Sequence, residues 1–263
     1  MSVPDTPPFT GDVVLVTGAG RGLGRAYAQH LAARGARVVV NDIDAEPVHD
    51  TVASIGSGRA VACVADIATG RGAHDAVAAA LDTFGRIDAL VCNAGTSWHL
   101  PFADMTEADL HTVLDSSLFG TFHPIRAAWP HLVAQGHGRI VTTASDAVFG
   151  YAGRGHYAAA KGAVLGLTNT VGVEGAPHGI FANTIMPYGT TRLSTAGAAV
   201  TDPLLAAPAV AWLCHRACTE NAQTFLTGGG RFVRVVHDRR PVQPSGGNDG
   251  GANTRPSSDI DPR

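Results

Sequence analysis

The stretch Val13-Val14-Leu15-Val16-Thr17-Gly18-Ala19-Gly20-Arg21-Gly22-Leu23-Gly24 decides the fold class. Val13 to Thr17 is a short apolar run bounded by glycine, the pattern of a strand buried on both faces in a parallel sheet. Leu23 to Arg34 has helical composition, and Gly35 supplies a stop. Gly18, Gly22 and Gly24 between the two give GxxxGxG. This differs from GxGxxG but works in a similar way. Glycines let the backbone turn tightly and approach a pyrophosphate, and the helix behind them offers free N–H groups and a positive dipole end. The glycine pattern alone is weak; its place between a strand and a helix gives it weight.

Outward from this stretch the same alternation repeats. Further strands are read at Arg37 to Asn41, Val61 to Ala65, Ala89 to Cys92, Arg139 to Thr143, Ile180 to Met186 and Thr224 to Leu226. Helices are read at Val48 to Ser54, Ala73 to Phe84, Tyr157 to Glu174 and Ala206 to His215, with one long helix at Glu107 to His131 capped by Thr106. Strand–helix alternation of this kind builds βαβ units, so the fold class is α/β with a single doubly wound parallel sheet and helices on both faces. Residues 11–236 form that domain. The first ten residues hold three prolines and read as a loose arm. Residues 237–263 read as a disordered tail: from Pro241 onward there are four prolines, four glycines and no aromatic residue.

Composition narrows the function classes. The chain has 263 residues, 45% of them apolar and 16% charged, which supports a sizeable core. A net charge of -3 provides no basic field, so nucleic acid is not expected as a partner. No apolar run is long enough for a membrane span, and MSVPDTPPFTGD is not a secretory leader, so a cytoplasmic location is expected. Cys63, Cys92, Cys214 and Cys218 have no framework spacing and read as reduced core thiols. The twelve histidines are scattered and form no HExxH, so no metal site is read.

Candidate cofactor residues fall at the carboxyl ends of the expected strands, where open α/β sheets bind ligands. Asp42, 24 residues after Gly18, can accept both ribose hydroxyls of an adenosine and would repel a 2′-phosphate, which favours NAD over NADP. Arg21 argues the other way, since an arginine in the glycine loop can reach a 2′-phosphate. Asp42 carries the greater weight because it would face the phosphate directly. Asp66 either holds an adenine amino group, with the Ile67 backbone beside it, or caps the following segment. Asn93-Ala94-Gly95 lets a cofactor cross the sheet edge while Asn93 ties neighbouring strands.

One count points to chemistry. Of 19 Lys plus Arg, a single lysine is present, Lys161. It lies four residues after Tyr157, which stacks the two on one helical face. A nearby ammonium favours phenolate, so Lys161 is expected to lower the Tyr157 pKa and let Tyr157 exchange a proton with an alcohol or carbonyl. Lys161 can also hold the nicotinamide ribose. Ser145, after the fifth strand, can hold the substrate oxygen.

TGAGRGLG, Asn41-Asp42, CNAG at 92–95, Ser145 and YAAAK at 157–161 together resemble the short-chain dehydrogenase/reductase family over residues 11–236. The resemblance implies a Rossmann-type domain, NAD(P) and the Ser, Tyr and Lys roles just described. It adds Leu23, Pro187 and Thr190 to the candidate cofactor contacts. GRGLGRAYA, VVVND, IVTTAS, NTIMP and AWLCHRACTEN are similar to the (3R)-hydroxyacyl-CoA dehydrogenase domains of peroxisomal multifunctional enzymes type 2 and bacterial relatives. That subgroup uses NAD, and the resemblance implies a secondary alcohol or ketone substrate, of the hydroxyacyl thioester kind or similar. Family members assemble through two long helices, which implies a homo-oligomer, tetramer or dimer.

Three departures from the family pattern stand out. Ser117 replaces the asparagine that holds a proton-relay water. Ser145 precedes Tyr157 by 12 residues where 13 is common. Only 16 residues, Tyr188 to Pro203, are left for the segment that covers the substrate, so a trimmed lid is expected. A nucleotide-binding regulator or scaffold that kept the fold and lost turnover is the competing reading; the intact Ser145, Tyr157 and Lys161 speak against it.

Overall fold

The computed structural model describes residues 3–56, 58–187, 202–228 and 231–236. Of the segment expected to cover the substrate, Tyr188 to Pro203, residues 188–201 with Thr190 lie outside the described residues, as do residues 237–263, expected to form a tail.

Eight strands form one sheet: β1 Val13–Val16, β2 Arg37–Asp42, β3 Ala60–Val64, β4 Ala89–Cys92, β5 Gly138–Thr143, β6 Ile180–Pro187, β7 Thr224–Gly228 and β8 Arg231–Val235. Their order is β3-β2-β1-β4-β5-β6-β7-β8. All neighbours pair in parallel except β7 and β8, which are antiparallel. The eighth strand was not expected from the sequence. It closes the sheet edge by stacking Phe232 on Phe225, ring centroids 4.6 Å apart.

Each β1 residue is fully buried because helices cover both faces. Side chains alternate along the strand, so Val14 and Val16 face one layer while Val13 and Leu15 face the other. The first layer is built from α1 (Gly22–Ala33), α2 (Ala45–Ile55) and α7 (Ala207–Cys214), through Tyr27, Leu31, Val48 and Leu213. The second draws on α3 (Gly70–Phe84) and the helix that includes Leu132, through Val77, Ala80, Ile125 and Leu132. Burying each large aliphatic side chain contributes roughly 1.5–3 kcal/mol, and Leu31→Ala or Leu132→Ala would cost about 2–5 kcal/mol.

The long helix expected at 107–131 is interrupted. Its first part, α4 (Glu107–Leu114), opens with the expected Thr106, which forms a reciprocal capping box with Asp109. A π-turn then occupies Asp115–Phe119, and α5 continues over Gly120–Gln135 to a left-handed stop at Gly136. The wide turn accommodates one extra residue and turns Ser117 inward, where it is fully buried. The next helix, α6 (Gly155–Gly175), carries Tyr157 and Lys161 in its first two turns.

The amino-terminal arm has no regular element, yet Thr6 and Phe9 are buried. The Phe9 N–H donates to the Arg34 carbonyl at 2.9 Å, and its ring meets His215 edge-on at 5.1 Å. At the amino ends of the strands, buried Arg139 donates to the carbonyls of Gly138, Gly179, Arg216 and Cys218 and stacks on Phe181. The four cysteines are buried and free. No described helix is long and apolar enough to cross a membrane.

Candidate active site

The sheet order reverses between β1 and β4, and the crevice at their carboxyl ends is where a doubly wound sheet receives a ligand. The glycine loop fills that position. Gly18 and Gly22 adopt positive φ, 62° and 53°. Gly24 tolerates no side chain, because a Cβ there would lie 2.1 Å from the Gly18 carbonyl oxygen. Thr17 and Asn93 brace the loop: Asn93 Nδ2 donates to the carbonyls of Thr17 and Gly18 at 3.1 and 3.3 Å, and Thr17 Oγ1 accepts from the backbone of Asn93 and Ala94. Helix α1 starts at Gly22, and the cap residue Arg21 offers no side-chain acceptor to its first N–H groups. These donors fit an anionic group such as a pyrophosphate.

Asp42 is held ready at the end of β2. Its Oδ2 accepts from Gly20 N–H at 3.1 Å, and its Oδ1 accepts from Ile43 N–H at 2.8 Å. Arg21 does not point along the same line; it pairs with Asp44 at 2.5 Å. Asp66 is exposed, and its Oδ1 accepts from Ala68 N–H at 3.0 Å. The helix behind it is capped by Thr69 instead. The Ile67 side chain is buried in the second core layer. Leu23 is half-buried behind the loop. Pro187 ends β6, paired with Thr227 of β7.

The chemical residues meet at the same edge. Lys161 is 2% exposed, and its Nζ donates to the Thr143 carbonyl at 2.7 Å, while standing 5.6 Å from the Tyr157 ring centroid. Burial pushes its pKa down to about 8, with neighbouring Cys92 opposing. Burial raises the Tyr157 pKa, and a hydrogen bond with Ser145 and the charge of Arg154 oppose that. The Lys161 ammonium is directed at the Thr143 carbonyl; the groups acting on Tyr157 are Ser145 and Arg154, which oppose the rise, and Asp146, which adds to it, and the lowering expected from Lys161 is not among these effects. The one-residue-shorter interval does not separate Ser145 from Tyr157. Ser145 Oγ also accepts from Ala147 N–H at 3.1 Å and donates to Asp146 Oδ1 at 3.2 Å.

Ser117 reaches this cluster from the π-turn. A Cβ placed on Gly95 would stand 2.9 Å from Ser117 Oγ and 3.4 Å from Lys161 Nζ, so both polar atoms face one small space that only glycine leaves open. The Ser117 hydroxyl is buried without a hydrogen-bond partner among the described residues. An orphaned buried hydroxyl beside a buried ammonium suits a bridging water.

Trp98 packs edge-on against buried His156 at 4.8 Å. Leu100 N–H donates to the Gly153 carbonyl at 2.9 Å, while Phe149 and Tyr151 remain largely exposed. Tyr188 lies outside the described residues. Arg154 and Asp44 were not anticipated. Arg154 donates to Ser97 Oγ at 2.6 Å, joining the loops after β4 and β5 across the mouth.

The family model described as short chain dehydrogenase matches residues 12–201, and the chain belongs to the short-chain dehydrogenase/reductase family. It is therefore an oxidoreductase of a family that binds a nicotinamide cofactor and acts on small molecules. It is 41% identical over 248 residues to peroxisomal multifunctional enzyme type 2 of Mus musculus, covering 88% of this chain. It spans only 33% of that enzyme. It is 39% identical over 241 residues to a Mycobacterium tuberculosis protein, Rv0148, named for the short-chain type dehydrogenases/reductases, covering 85% of this chain and 84% of the relative. Among solved structures it is similar to 3-ketoacyl-(acyl-carrier-protein) reductase from Brucella melitensis complexed with NADH. That likeness has a TM-score of 0.78 at 29% identity and covers 82% of this chain and 96% of the other.

Proposed function

We propose that this protein is an NAD-dependent dehydrogenase that interconverts a secondary alcohol and a ketone of the 3-hydroxyacyl thioester class. The observation that carries the reading is the convergence of Ser145, Tyr157 and buried Lys161 at the carboxyl edge of the sheet, beside a glycine loop and Asp42. The substrate class rests on the likeness to the mouse enzyme and to the ketoacyl reductase.

The glycine loop and the N-terminus of α1 would hold the pyrophosphate, Asp42 the adenosine ribose and Lys161 the nicotinamide ribose. Bound nicotinamide supplies the hydride acceptor or donor. The chain's own residues handle the proton. Tyr157 Oη takes the hydroxyl proton of the alcohol during oxidation and returns it to the carbonyl oxygen during reduction. Ser145 Oγ, turned from Asp146 Oδ1, donates its one hydrogen bond to the same substrate oxygen and stabilises charge that develops there. Lys161 and Ser117 lead that proton away through the small space beside Gly95. Because burial raises the Tyr157 pKa, the tyrosine is protonated at neutral pH, and oxidation quickens as pH rises.

The test is a screen of secondary alcohols and 3-hydroxyacyl thioesters with NAD, followed at the NADH absorbance. Turnover of a 3-hydroxyacyl thioester above simple alcohols is expected. Turnover confined to small alcohols would reject the substrate class. No turnover of any member, by protein shown to bind NADH, would reject the enzymatic reading.

A further inference from the structure

Asp44 stands at the N-cap of α2, where an aspartate ordinarily accepts a first-turn N–H, yet its side chain caps nothing. It instead accepts the Arg21 guanidinium at 2.5 Å. Arg21 is the cation of the glycine loop, and Asp42, Asp44 and Glu46 all act on it electrostatically. Gly20 lies against Asp42: its N–H donates to Asp42 Oδ2, and a Cβ there would come 2.9 Å from that oxygen and 2.8 Å from Pro47 Cβ. The loop therefore passes close under Asp42, with Arg21 drawn sideways to Asp44.

We propose that Asp44 is a cofactor-selectivity residue: it latches Arg21 away from the ribose 2′ position, so that Asp42 alone faces that position. The inference rests on the reading of Asp42 as the adenosine-ribose acceptor. A 2′-phosphate needs a cation where Asp42 lies, and Arg21 is the side chain placed to supply one once it is released. The pair is partly exposed, 42% and 54% for the two side chains, so the latch is weak and a modest change should spring it. Selectivity in this arrangement has two parts, a repelling carboxylate at Asp42 and a withheld guanidinium at Arg21.

The test needs no substrate. Binding of adenosine 2′,5′-bisphosphate and of 5′-AMP is measured by calorimetry on the full chain, for wild type, Asp44→Asn, Asp44→Glu, Arg21→Gln and Asp44→Asn/Arg21→Gln. Asp44→Asn should tighten the bisphosphate relative to AMP by about three- to tenfold, the range opened by freeing one exposed arginine for a phosphate. Asp44→Glu should keep the wild-type ratio, and in the Arg21→Gln background the Asp44→Asn gain should vanish. A gain that survives without Arg21 would show Asp44 acting by its own charge and would overturn the latch. No gain in Asp44→Asn, with its melting midpoint unchanged, would overturn it too. Failure of the underlying reading is separate: wild type would then already prefer the bisphosphate.

Discussion

Replacing Lys161 by methionine should make the protein more stable and nearly inactive at once. Lys161 is buried beneath the site, and burial lowers its pKa to about 8. A fall from about 10.4 in the unfolded chain, at about 1.36 kcal/mol per pH unit, means that holding this ammonium costs the fold about 3 kcal/mol at pH 7. Methionine fills the volume of the lysine stem without the charge. The loss of the bond to the Thr143 carbonyl trims the gain, so the melting midpoint should rise by roughly 4–10 °C at pH 7.

The pH dependence follows in sign. Between pH 8 and about 10.4 the unfolded chain still binds the lysine proton and the folded chain has released it, so wild-type stability climbs with pH through this window. The advantage of Lys161→Met is therefore full below pH 8 and gone above about 10.4. Differential scanning calorimetry at pH 7 and pH 10 reads both effects, and kcat should fall by about 10²-fold or more. An equal or lower midpoint at pH 7, or a gap that does not shrink at pH 10, would refute the idea that a strained buried charge sits under the site.

Three further outcomes are expected. Lys161→Arg keeps the charge but brings a larger, forked group into a space bounded by Cys92 and Gly95, and should lose about 10²-fold in kcat with NADH binding, followed by fluorescence, showing how far the ribose contact has moved. Ser145→Ala removes the neighbour that opposes the raised Tyr157 pKa, so the oxidation rate should fall and the acidic limb of its pH profile should move to higher pH; an unmoved limb would separate Ser145 from Tyr157. Ser117→Ala removes a hydroxyl without a partner among the described residues, so stability should hold or rise while turnover falls about tenfold; equal turnover would take Ser117 out of the proton route.

Strands β1, β2 and β4 were legible because each is an apolar run stopped by a polar residue, and burial on both faces leaves no polar alternation to confuse the reading. The edge strand Arg231–Val235 broke that rule: RFVRV interleaves arginines with one buried aromatic, and its pairing is antiparallel. The π-turn was invisible because nothing in Asp115–Phe119 forbids an ordinary helix; tertiary packing selects the wide turn. Three prolines made the arm look loose, while the side chain that pins it, Phe9, finds His215 far along the chain. In the site, Tyr157 and Lys161 could be paired from sequence because helical spacing places them on one face. The groups that hold the site together could not be. Thr143 acts through its backbone carbonyl, Arg154 reaches Ser97 across 57 residues, and Asp44 reaches Arg21 across 23.

Arg139 has a consequence for how such a chain can diverge. Its guanidinium binds carbonyls from the starts of β5 and β6 and from the segment after α7, all at the end of the sheet opposite the reaction. The starts of β5 and β6 are thereby fastened to the segment after α7 through main-chain atoms, which a side-chain substitution nearby leaves in place. The loops after β4 and β5, by contrast, are joined through particular side chains such as Ser97 and Arg154. Drift in those loops can exchange one substrate for another without loosening the far fastening, so new specificities should arise on this scaffold more readily than new folds.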